Sequence, residues 1–513
     1  MFWKTILIVF SIFLSILLYR AYVVFTPDKT IFESCLSSTG NHSLKFDQNR
    51  LRTFQKLLQF QTISYGVNKQ NFDEIKKCRN FIKEHYHDLV TNYSEFVDLY
   101  DIAEYSLLYS IQGKNLNLKP FLFSAHMDVV PARDLNRWKY PPFDAHTDKD
   151  FIYARGTLDD KGNLFAMMEA LKEYLHAYGQ PSRTFYVALT HNEEAGHSGA
   201  MGIAHHLSQQ PFGHNGQFEF VLDEGTTILE EVFPTLNNPI AIIGVAEKGY
   251  MSIKYRIDMA SGHSSMPSAP TAIGILARAV DKLESKLQPS QFGRGPELSL
   301  LHGVTPYLKF PLRLVMSNIW LFGPVIQWVL SQKPGTDALQ RTTTAVTFIS
   351  GGEKDNVLPT SASATVNHRI HTADSCQKIL ENNRRIINDD RLISHINSCS
   401  EPSPISPYGK HIYSYHILEQ TIRQTFEKDH HQPIIVVPGL MLGATDSKLY
   451  TNLSKNLYRF SPFVYRHDDL DRLHGDNERI RHSDMQRGLN FYFHVILNNQ
   501  LENIPETELK SEL

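Results

Sequence analysis

Short apolar runs alternate with helical patterns through the first half of the chain. Strand-like runs cover residues 120–125, 184–189 and 218–222, and helix-like segments lie between them at 164–174 and 200–207. Such alternation is typical of an α/β domain whose sheet is mostly parallel and flanked by helices. The pattern therefore predicts an α/β fold for this part of the chain.

The pattern changes near residue 247. A strand at 251–257, a helix at 273–283, strands at 343–349 and 362–370, and a helix at 376–387 follow in that order. This order, with a further strand near residue 394, predicts a small ferredoxin-like α+β domain. From about residue 402 the α/β character returns, so the small domain is expected to interrupt a larger one. The predicted parts are an N-terminal signal segment at 1–27, the α/β domain at 28–247 and 401–500, the inserted domain at 248–400, and a polar tail at 501–513.

Residues 310–330 form the most apolar stretch outside the N-terminus. Arg313, Asn318 and Pro324 interrupt it, and this argues against a membrane span. We interpret the stretch as a helical insertion, and an apolar groove or partner surface is the alternative.

The first residues carry a second kind of apolar pattern. Thr5–Tyr19 has no charge, Arg20 interrupts, and Ala21–Phe25 continues the run, with Lys4 before it. The uncharged part has the length of a signal-peptide core, and 5–25 is long enough to span a bilayer. Because no clear cleavage site follows, an uncleaved signal-anchor is favoured. Either interpretation predicts the secretory pathway, with a product that is secreted or anchored as a single-pass type II membrane protein.

Glycosylation triplets and cysteines are consistent with that compartment. Triplets of the form Asn-x-Ser begin at Asn41, Asn92 and Asn452. Cys376 and Cys399 can pair in an oxidising compartment, and free buried thiols are the alternative. None of the four cysteines has the spacing of a zinc knuckle.

Composition narrows the class of protein. The 513 residues exceed one ordinary core, and an apolar fraction of 42% with 20% charged residues is typical of a globular protein. The net charge of −3, without a long run of one sign, argues against nucleic acid as a partner.

Polar residues cluster where the predicted strands end. His126 and Asp128 lie within 121–131, at the point where the predicted strand ends. Residues two apart share one face of a strand. Alone, this pair is more often structural than functional. Four further clusters, however, follow other strands or lie in the returning segment: Arg155–Gly162, His191–Gly196, Val221–Gly225 and Leu473–Gly475. Because sites in open parallel sheets form at the carboxyl ends of strands, these clusters are expected to converge.

Histidines and several carboxylates in one place suit a pair of Zn²⁺ ions. Two metals close together need a bridging carboxylate. The neighbouring Glu193 and Glu194 offer a division of roles, in which one binds metal and the other takes a proton from water.

These motifs resemble peptidase family M20, the two-zinc exopeptidases that include aminoacylase, carnosinase and carboxypeptidase S. The resemblance covers about 48–497. It is carried by Ser-Ala-His-Met-Asp-Val-Val-Pro, Arg-Gly-Thr-Leu-Asp-Asp-Lys-Gly, Glu-Glu-x-Gly, Leu-Asp-Glu-Gly and Ser-Gly-His-Ser-Ser. Four further stretches resemble the carboxypeptidase S branch, which includes N-fatty-acyl-amino-acid synthase/hydrolases: Glu247–Gly249, Trp320–Phe322, Arg341–Thr344 and Asn356–Pro359.

The resemblance implies a zinc-exopeptidase-like fold, two Zn²⁺ ions and a role for each matching residue. The implied metal ligands are His126, Asp159 as the bridge, Glu194, Asp223 and His474, and Asp160 is a weaker candidate for the bridge. Glu193 is the implied general base, and Asp128 orients His126.

In the inserted domain, which would act as lid and dimerisation domain, His263 is implied to reach the substrate. Asn356, Arg369, Thr445 and Asp446 match substrate-binding positions less securely. Asn192 departs from the family, which usually has Asp there.

The predicted activity is hydrolysis of an amide bond adjacent to a free carboxylate. The substrate is either a peptide cut at its C-terminus or an N-fatty-acyl amino acid, whose hydrolysis is reversible in principle. A non-catalytic, membrane-anchored binding protein on a peptidase scaffold is the alternative. That alternative expects a broken ligand, whereas all the metal-site positions are intact.

Overall fold

The computed structural model describes residues 2–26, 43–210, 217–232, 235–427 and 433–500. The predicted polar tail and the whole segment at 28–42, with Asn41, lie outside these residues. The described helices are α1 (Phe2–Tyr19), α2 (Gln48–Gln59), α3 (Phe72–His85), α4 (His87–Thr91), α5 (Lys161–Tyr178), α6 (Ser198–Ser208), α7 (Ala272–Ser285), α8 (Glu297–Val304), α9 (Leu312–Met316), α10 (Ile319–Leu330), α11 (Pro334–Gln340), α12 (Cys376–Ile387), α13 (Tyr413–Phe426) and α14 (His482–Asn498).

The strands complete the described elements. They are β1 (Val97–Ile102), β2 (Ser106–Ile111), β3 (Phe121–His126), β4 (His146–Thr147), β5 (Phe151–Tyr153), β6 (Phe185–Thr190), β7 (Phe220–Asp223), β8 (Ile228–Leu229), β9 (Ile240–Glu247), β10 (Gly249–Asp258), β11 (Gly262–His263), β12 (Thr343–Gly351), β13 (Val357–Leu358), β14 (Ser361–Ile370), β15 (Ile393–Ser400), β16 (Ile435–Met441), β17 (Leu457–Arg459), β18 (Val464–Tyr465) and β19 (Arg479–Arg481).

The larger sheet has ten strands in the order β1-β2-β6-β3-β7-β17-β9-β8-β18, with β16 beside β9. Its centre is parallel: β3 pairs with β6 and β7, and β17 pairs with β7. Antiparallel pairs lie toward both ends. This confirms the predicted α/β sheet, and both chain segments on either side of the insertion contribute strands to it.

Strand β3 is buried on both faces, which explains its continuous apolar sequence. On one face Phe121 stacks on Phe185 and Phe220, with ring centroids 5.0 and 5.1 Å apart. That face packs in the core with the buried first turns of α5, while Leu122 on the other face belongs to the core beneath α6. The layers therefore fix the end of β3 in the interior.

The inserted domain has a four-stranded antiparallel sheet in the order β12-β14-β10-β15. Burial alternates strictly along β14, and helices α7 and α12 supply the apolar residues that cover its buried face. This order is that of a split β-α-β sandwich, which confirms the ferredoxin-like prediction. A disulfide joins Cys376 to Cys399, which settles the open question about that pair, and Cys78 is a buried free thiol.

Helices α9 and α10 occupy the predicted helical insertion at 310–330, and α8 and α11 flank them. Leu300, Val304 and Ile326 from these helices pack with Ile435 and Val437 of β16, so the insertion lies against the larger domain. At the N-terminus, α1 continues as a π-helical turn at Arg20–Val24, and the described stretch 2–24 is long and apolar enough to cross a membrane.

Candidate active site

The carboxyl ends of β3, β6 and β7 lie side by side, because these three strands are neighbours and parallel. His126 ends β3 and Asp223 ends β7, while Glu193 and Glu194 follow β6 in a short 3₁₀ turn. Asp159 lies just before α5, the helix that crosses behind β3. The predicted convergence of clusters on one edge of the sheet is therefore what the structure shows.

His126 is almost completely buried, with 1% of its surface exposed. Its Nδ1–H donates to the backbone carbonyl of Asp128 at 2.9 Å. This bond directs Nε2 into the site, where it lies 2.8 Å from Asp159 Oδ1 and 3.4 Å from Glu224 Oε1. A neutral imidazole held in this tautomer has a free Nε2 lone pair to offer a metal ion.

His474 lies on the opposite side of Asp159. Its Nε2 is 2.8 Å from Asp159 Oδ2 and 3.3 Å from Glu194 Oε1. The side chain of His474 is 53% exposed, whereas that of His126 is 1% exposed. The two oxygens of one carboxylate thus face two histidines in different environments.

Two potential metal-binding groups share that carboxylate. One consists of His126, Asp159 and Glu224, and the other of Asp159, Glu194 and His474. Within each group the potential ligand atoms lie within 4.8 Å of one another. A shared bridging carboxylate between two sets of N and O ligands is the arrangement that a pair of divalent metal ions requires.

The structure places Glu224, rather than Asp223, against His126. Asp223 is buried at the end of β7, and its Oδ1 accepts a hydrogen bond from the backbone N–H of Glu224. Its carboxyl lies within electrostatic reach of Asp446 and Glu247 instead. Asp223 is the last residue of β7 and Glu224 is the first residue after it, so a difference of one position decides which acid lies against His126.

Two effects raise the pKa values of the buried acids: the loss of hydration on burial and the repulsion between neighbouring negative charges. Burial raises the pKa of Asp223 to about 7, with the charges of Asp446 and Glu247 adding to it. Burial and the charge of Asp159 raise the pKa of Glu224 to about 8. Carboxyl groups crowded in this way require cations or protons, and the set of oxygen and imidazole donors fits divalent metal ions.

Glu193 is buried beside this centre, and burial raises its pKa well above the usual range of a carboxyl group. It shares a cluster with His126 and Glu194, within the same 4.8 Å limit. A carboxylate with an elevated pKa next to a metal centre is suited to accept and return a proton.

Asp128 positions the two glutamates. Its carboxylate accepts hydrogen bonds from the backbone N–H groups of Glu193 at 3.0 Å and Glu194 at 3.2 Å. The hydroxyl of Ser64 donates to Oδ2 of Asp128 at 2.6 Å. Asp128 therefore holds His126 through its carbonyl and the Glu193–Glu194 turn through its side chain.

Glu478 holds the loop that carries Asp159, and the sequence did not single it out. It is fully buried and accepts hydrogen bonds from the backbone N–H groups of Gly156, Leu158 and Asp159. Arg155 forms an ion pair with Glu478 and also donates to the carbonyl of His474. Only proximity to the Leu473–Gly475 motif could have indicated Glu478, because its partners are about 320 positions away in the chain.

Thr445 and Asp446 lie behind the centre. Thr445 is buried and donates to the carboxylate of Glu247 from both its N–H and its hydroxyl. Asp446 accepts from the hydroxyl of Thr190 at 2.6 Å and from His197 Nδ1–H at 2.8 Å. These polar atoms are thus engaged within the domain itself.

The structure brings His263 and Asn356 together in the inserted domain. Strand β11 pairs with β13, and the N–H of Ser264 donates to the carbonyl of Asn356 at 3.1 Å. His263 is exposed, and its Nδ1 accepts from the N–H of Ser265, which leaves Nε2–H as the donor. Arg369 lies on β14 with its guanidinium over the ring of Tyr250.

Residues 122–498 match the family described as Peptidase family M20/M25/M40. This chain belongs to that family. Among relatives, it is 35% identical over 501 residues to the N-fatty-acyl-amino acid synthase/hydrolase PM20D1 of Xenopus tropicalis, covering 97% of this chain and 95% of that protein. It is 41% identical over 450 residues to the probable carboxypeptidase S-like 2 of Dictyostelium discoideum, covering 87% and 84%.

Solved structures of the family share the fold. An M20 family metallo-carboxypeptidase, Sso-CP2 from Sulfolobus solfataricus, superimposes with a TM-score of 0.60 at 17% identity, covering 88% of this chain and 98% of that one. The M20 family membership and its metallopeptidase relatives identify the chain as a metallohydrolase that cleaves amide or peptide bonds.

Proposed function

We propose that this M20 family member is a two-zinc hydrolase of an amide bond adjacent to a free carboxylate. The observation that carries the proposal is Asp159, whose two oxygens each lie 2.8 Å from a different histidine. His126 and Glu224 complete one metal site, and Glu194 and His474 complete the other. Glu224 takes the place that the sequence analysis assigned to Asp223.

Two zinc ions bound at these residues would supply Lewis acidity for water and for the scissile carbonyl. Glu193 accepts a proton from the attacking water and returns it to the leaving amine nitrogen, so that one water is added across the C–N bond. The raised pKa of Glu193 supports both transfers. Asp128 keeps Glu193 in place through its backbone N–H.

The inserted domain binds the remainder of the substrate in this proposal. His263 Nε2–H donates to a substrate oxygen, and Asn356, which lies beside it, contributes a second polar contact. Arg369 is a candidate for the free carboxylate. The buried hydrogen bonds of Thr445 and Asp446 favour a supporting role over contact with substrate.

The acyl side of the bond is either a peptide or a fatty acyl chain, since relatives with both kinds of name resemble this chain over most of its length. A panel of N-oleoyl amino acids and N-blocked dipeptides tests this. We expect turnover only when the carboxylate is free, and no turnover of the matched C-terminal carboxamides. Equal turnover of acid and carboxamide would contradict the proposal.

Metal analysis separates the enzyme from a binding protein on the same scaffold. We expect about two zinc ions per chain in the purified protein and recovery of activity when zinc is returned after chelation. A chain that binds substrate without bound metal and without turnover would support the alternative.

We also propose that 2–24 is retained as an anchor and that the catalytic domains lie in the secretory pathway. Asn92 and Asn452 are exposed, as glycosylation requires. Carbonate extraction of membranes tests the anchor: a pelleted protein supports it, and release contradicts it.

A homodimer formed through the inserted domain is a further part of the proposal. Edge strand β12 is exposed, with Phe348 at 74% and Ile349 at 62%, and such an edge can pair with a second copy. Light scattering of Phe348→Asp against the parent chain tests it, and an unchanged dimer would exclude this edge.

A further inference from the structure

Helix α10 presents an apolar face to its surroundings. Trp320, Leu321, Val325, Trp328 and Val329 are exposed, at 58%, 37%, 56%, 64% and 53%. Their spacing of one, four and three residues puts them on one continuous stripe. Solvent-facing stripes of helices are normally polar, so this face is built for contact with an apolar phase.

The opposite face of α10 is already used for packing. Ile326 is buried with Leu300 and Val304 of α8 and with Val437 of β16. The helix is therefore fixed on the larger domain by one face while the other remains uncovered. We call α9 and α10 together, residues 312–330, the apolar platform.

The N-terminal helix is joined to this platform by hydrogen bonds. Asn318 Nδ2 donates to the carbonyl of Leu17 at 3.1 Å, and Arg313 Nε donates to that of Ala21 at 2.8 Å. In return, Arg20 Nε donates to the carbonyl of Ser317 at 3.1 Å. The charge that interrupts the N-terminal apolar run is thus paired with the platform.

Aromatic packing extends the contact along the helix. Phe13 meets Trp320 edge-on, with ring centroids 6.3 Å apart. The contacts of the platform therefore fall on 13–25, the half of the N-terminal helix nearer to the rest of the chain. A helix of 23 residues is about 34 Å long, and a bilayer core is ~30 Å thick. A platform that accompanies only this half would enter one leaflet.

Charges near the platform agree with a lipid environment. Between 298 and 336 the sequence has no Asp or Glu, and its basic residues are Lys309, Arg313 and Lys333. Lys309 and Lys333 are exposed on either side of the platform, where long cationic side chains can reach phospholipid headgroups. Tryptophans at such a boundary are typical of membrane interfaces.

We propose that the apolar platform lies in the leaflet on the side of the catalytic domains, with Trp320 and Trp328 in contact with lipid acyl chains. The inference rests on the proposed retention of 2–24 as an anchor. The proposed partner of the apolar platform is phospholipid. The exposed stripe adjoins the N-terminal helix, and that helix is itself apolar enough to be surrounded by lipid.

Fluorescence quenching by brominated lipid tests the platform and the anchor separately. The chain has four tryptophans, of which Trp138 is 8% exposed and remote in sequence from the other three. Full-length Trp3→Phe, which retains Trp138, Trp320 and Trp328, reports on the platform. Trp320→Phe/Trp328→Phe, which retains Trp3 and Trp138, reports on the anchor. Trp3→Phe/Trp320→Phe/Trp328→Phe reports on Trp138 alone as the control.

Each protein is reconstituted into phosphatidylcholine vesicles with or without bromine on the acyl chains. We expect brominated lipid to lower the emission of Trp3→Phe, because Trp320 and Trp328 would contact the acyl chains, and to leave the triple variant unchanged. If Trp3 is quenched while Trp3→Phe behaves like the triple variant, the anchor is retained but the platform is covered by protein, which overturns the inference. If neither is quenched, both the anchor and the platform proposals fail.

Discussion

The two domains of this protein put their polar residues to different uses. In the ten-stranded sheet, charged groups are collected at one buried edge, where His126, Asp159 and Glu193 have little contact with water. In the inserted domain, His263 and Asn356 are exposed at the β11–β13 pair, outside the four-stranded sheet. Buried acids with shifted pKa values suit bond cleavage, whereas exposed donors suit capture of a substrate. The proposed division of labour between the domains follows from that difference in burial.

The largest expected effect comes from removing the proposed base. Glu193→Gln keeps the shape of the side chain but cannot accept a proton, so kcat should fall by about 10²–10⁴-fold. Bound zinc, measured by elemental analysis, should remain at the parental level. Glu84→Gln, an exposed position on α3, is the matched control and should behave like the parent. Parental turnover in Glu193→Gln would contradict the proposed role of Glu193 as the base.

The second effect concerns the exposed domain. His263→Ala should lower kcat/KM by roughly 10²–10³-fold while zinc content is unchanged, because the donor to the substrate oxygen is lost. His411→Ala, another exposed histidine, serves as its control. Loss of zinc in His263→Ala would contradict the proposal that metal binding belongs to the larger domain and substrate binding to the inserted domain.

The third effect distinguishes two neighbouring acids. Glu224→Gln should weaken binding of one zinc by more than about tenfold, and Asp223→Asn should weaken it less, because Glu224 Oε1 lies 3.4 Å from His126 Nε2. Competition with a chelator measures both variants under the same conditions. The reverse order would restore Asp223 as the ligand.

These two acids show where sequence reasoning stops. His126 and Asp128 could be predicted because strand periodicity and a strand end place both residues. The choice between Asp223 and Glu224 depends on how the backbone turns after β7, and a difference of one residue reverses the face. Glu478 could not be predicted either, since its role arises from contacts with residues more than 300 positions away.

The inserted domain was more predictable in fold than in function. Its strand and helix order follows from local periodicity, and the structure confirms it. The role of the apolar stretch 310–330 could not be decided from composition, because helix formation and an uncovered face are compatible with the same residues. The structure shows what lies beside this stretch, because Asn318 and Arg313 contact the N-terminal helix.

The fourth expected effect concerns stability rather than activity and comes from His368 in β14. Burial lowers its pKa to about 4, and its neutral ring accepts from Asn383 through Nε2 while Nδ1–H donates to the carbonyl of Thr343. An unfolded histidine has a pKa near ~6.5, so the unfolded chain takes up the proton first as pH falls. Stability should therefore decrease between about pH 6.5 and 4, by up to about 3 kcal/mol from this residue.

Urea unfolding of the parent and His368→Gln measures that contribution. The difference between their free energies of unfolding should shrink as the pH falls across this window. A buried acid of helix α14 acts in the opposite direction: burial raises the pKa of Asp484 to about 6, so its contribution to stability falls as the pH rises through that value. A constant difference in the free energy of unfolding between the parent and His368→Gln would contradict the predicted contribution of His368.

The bond from Arg155 to the carbonyl of His474 has a consequence for biosynthesis. Asp159 is held by Glu478, so the centre needs a segment made early in translation and one made more than 300 residues later. A nascent chain that has already folded its first strands still lacks one histidine and the clamp on the shared carboxylate. Hydrolysis at the proposed centre can therefore begin only after Glu478 has been synthesised, and a product interrupted before that residue lacks part of the centre.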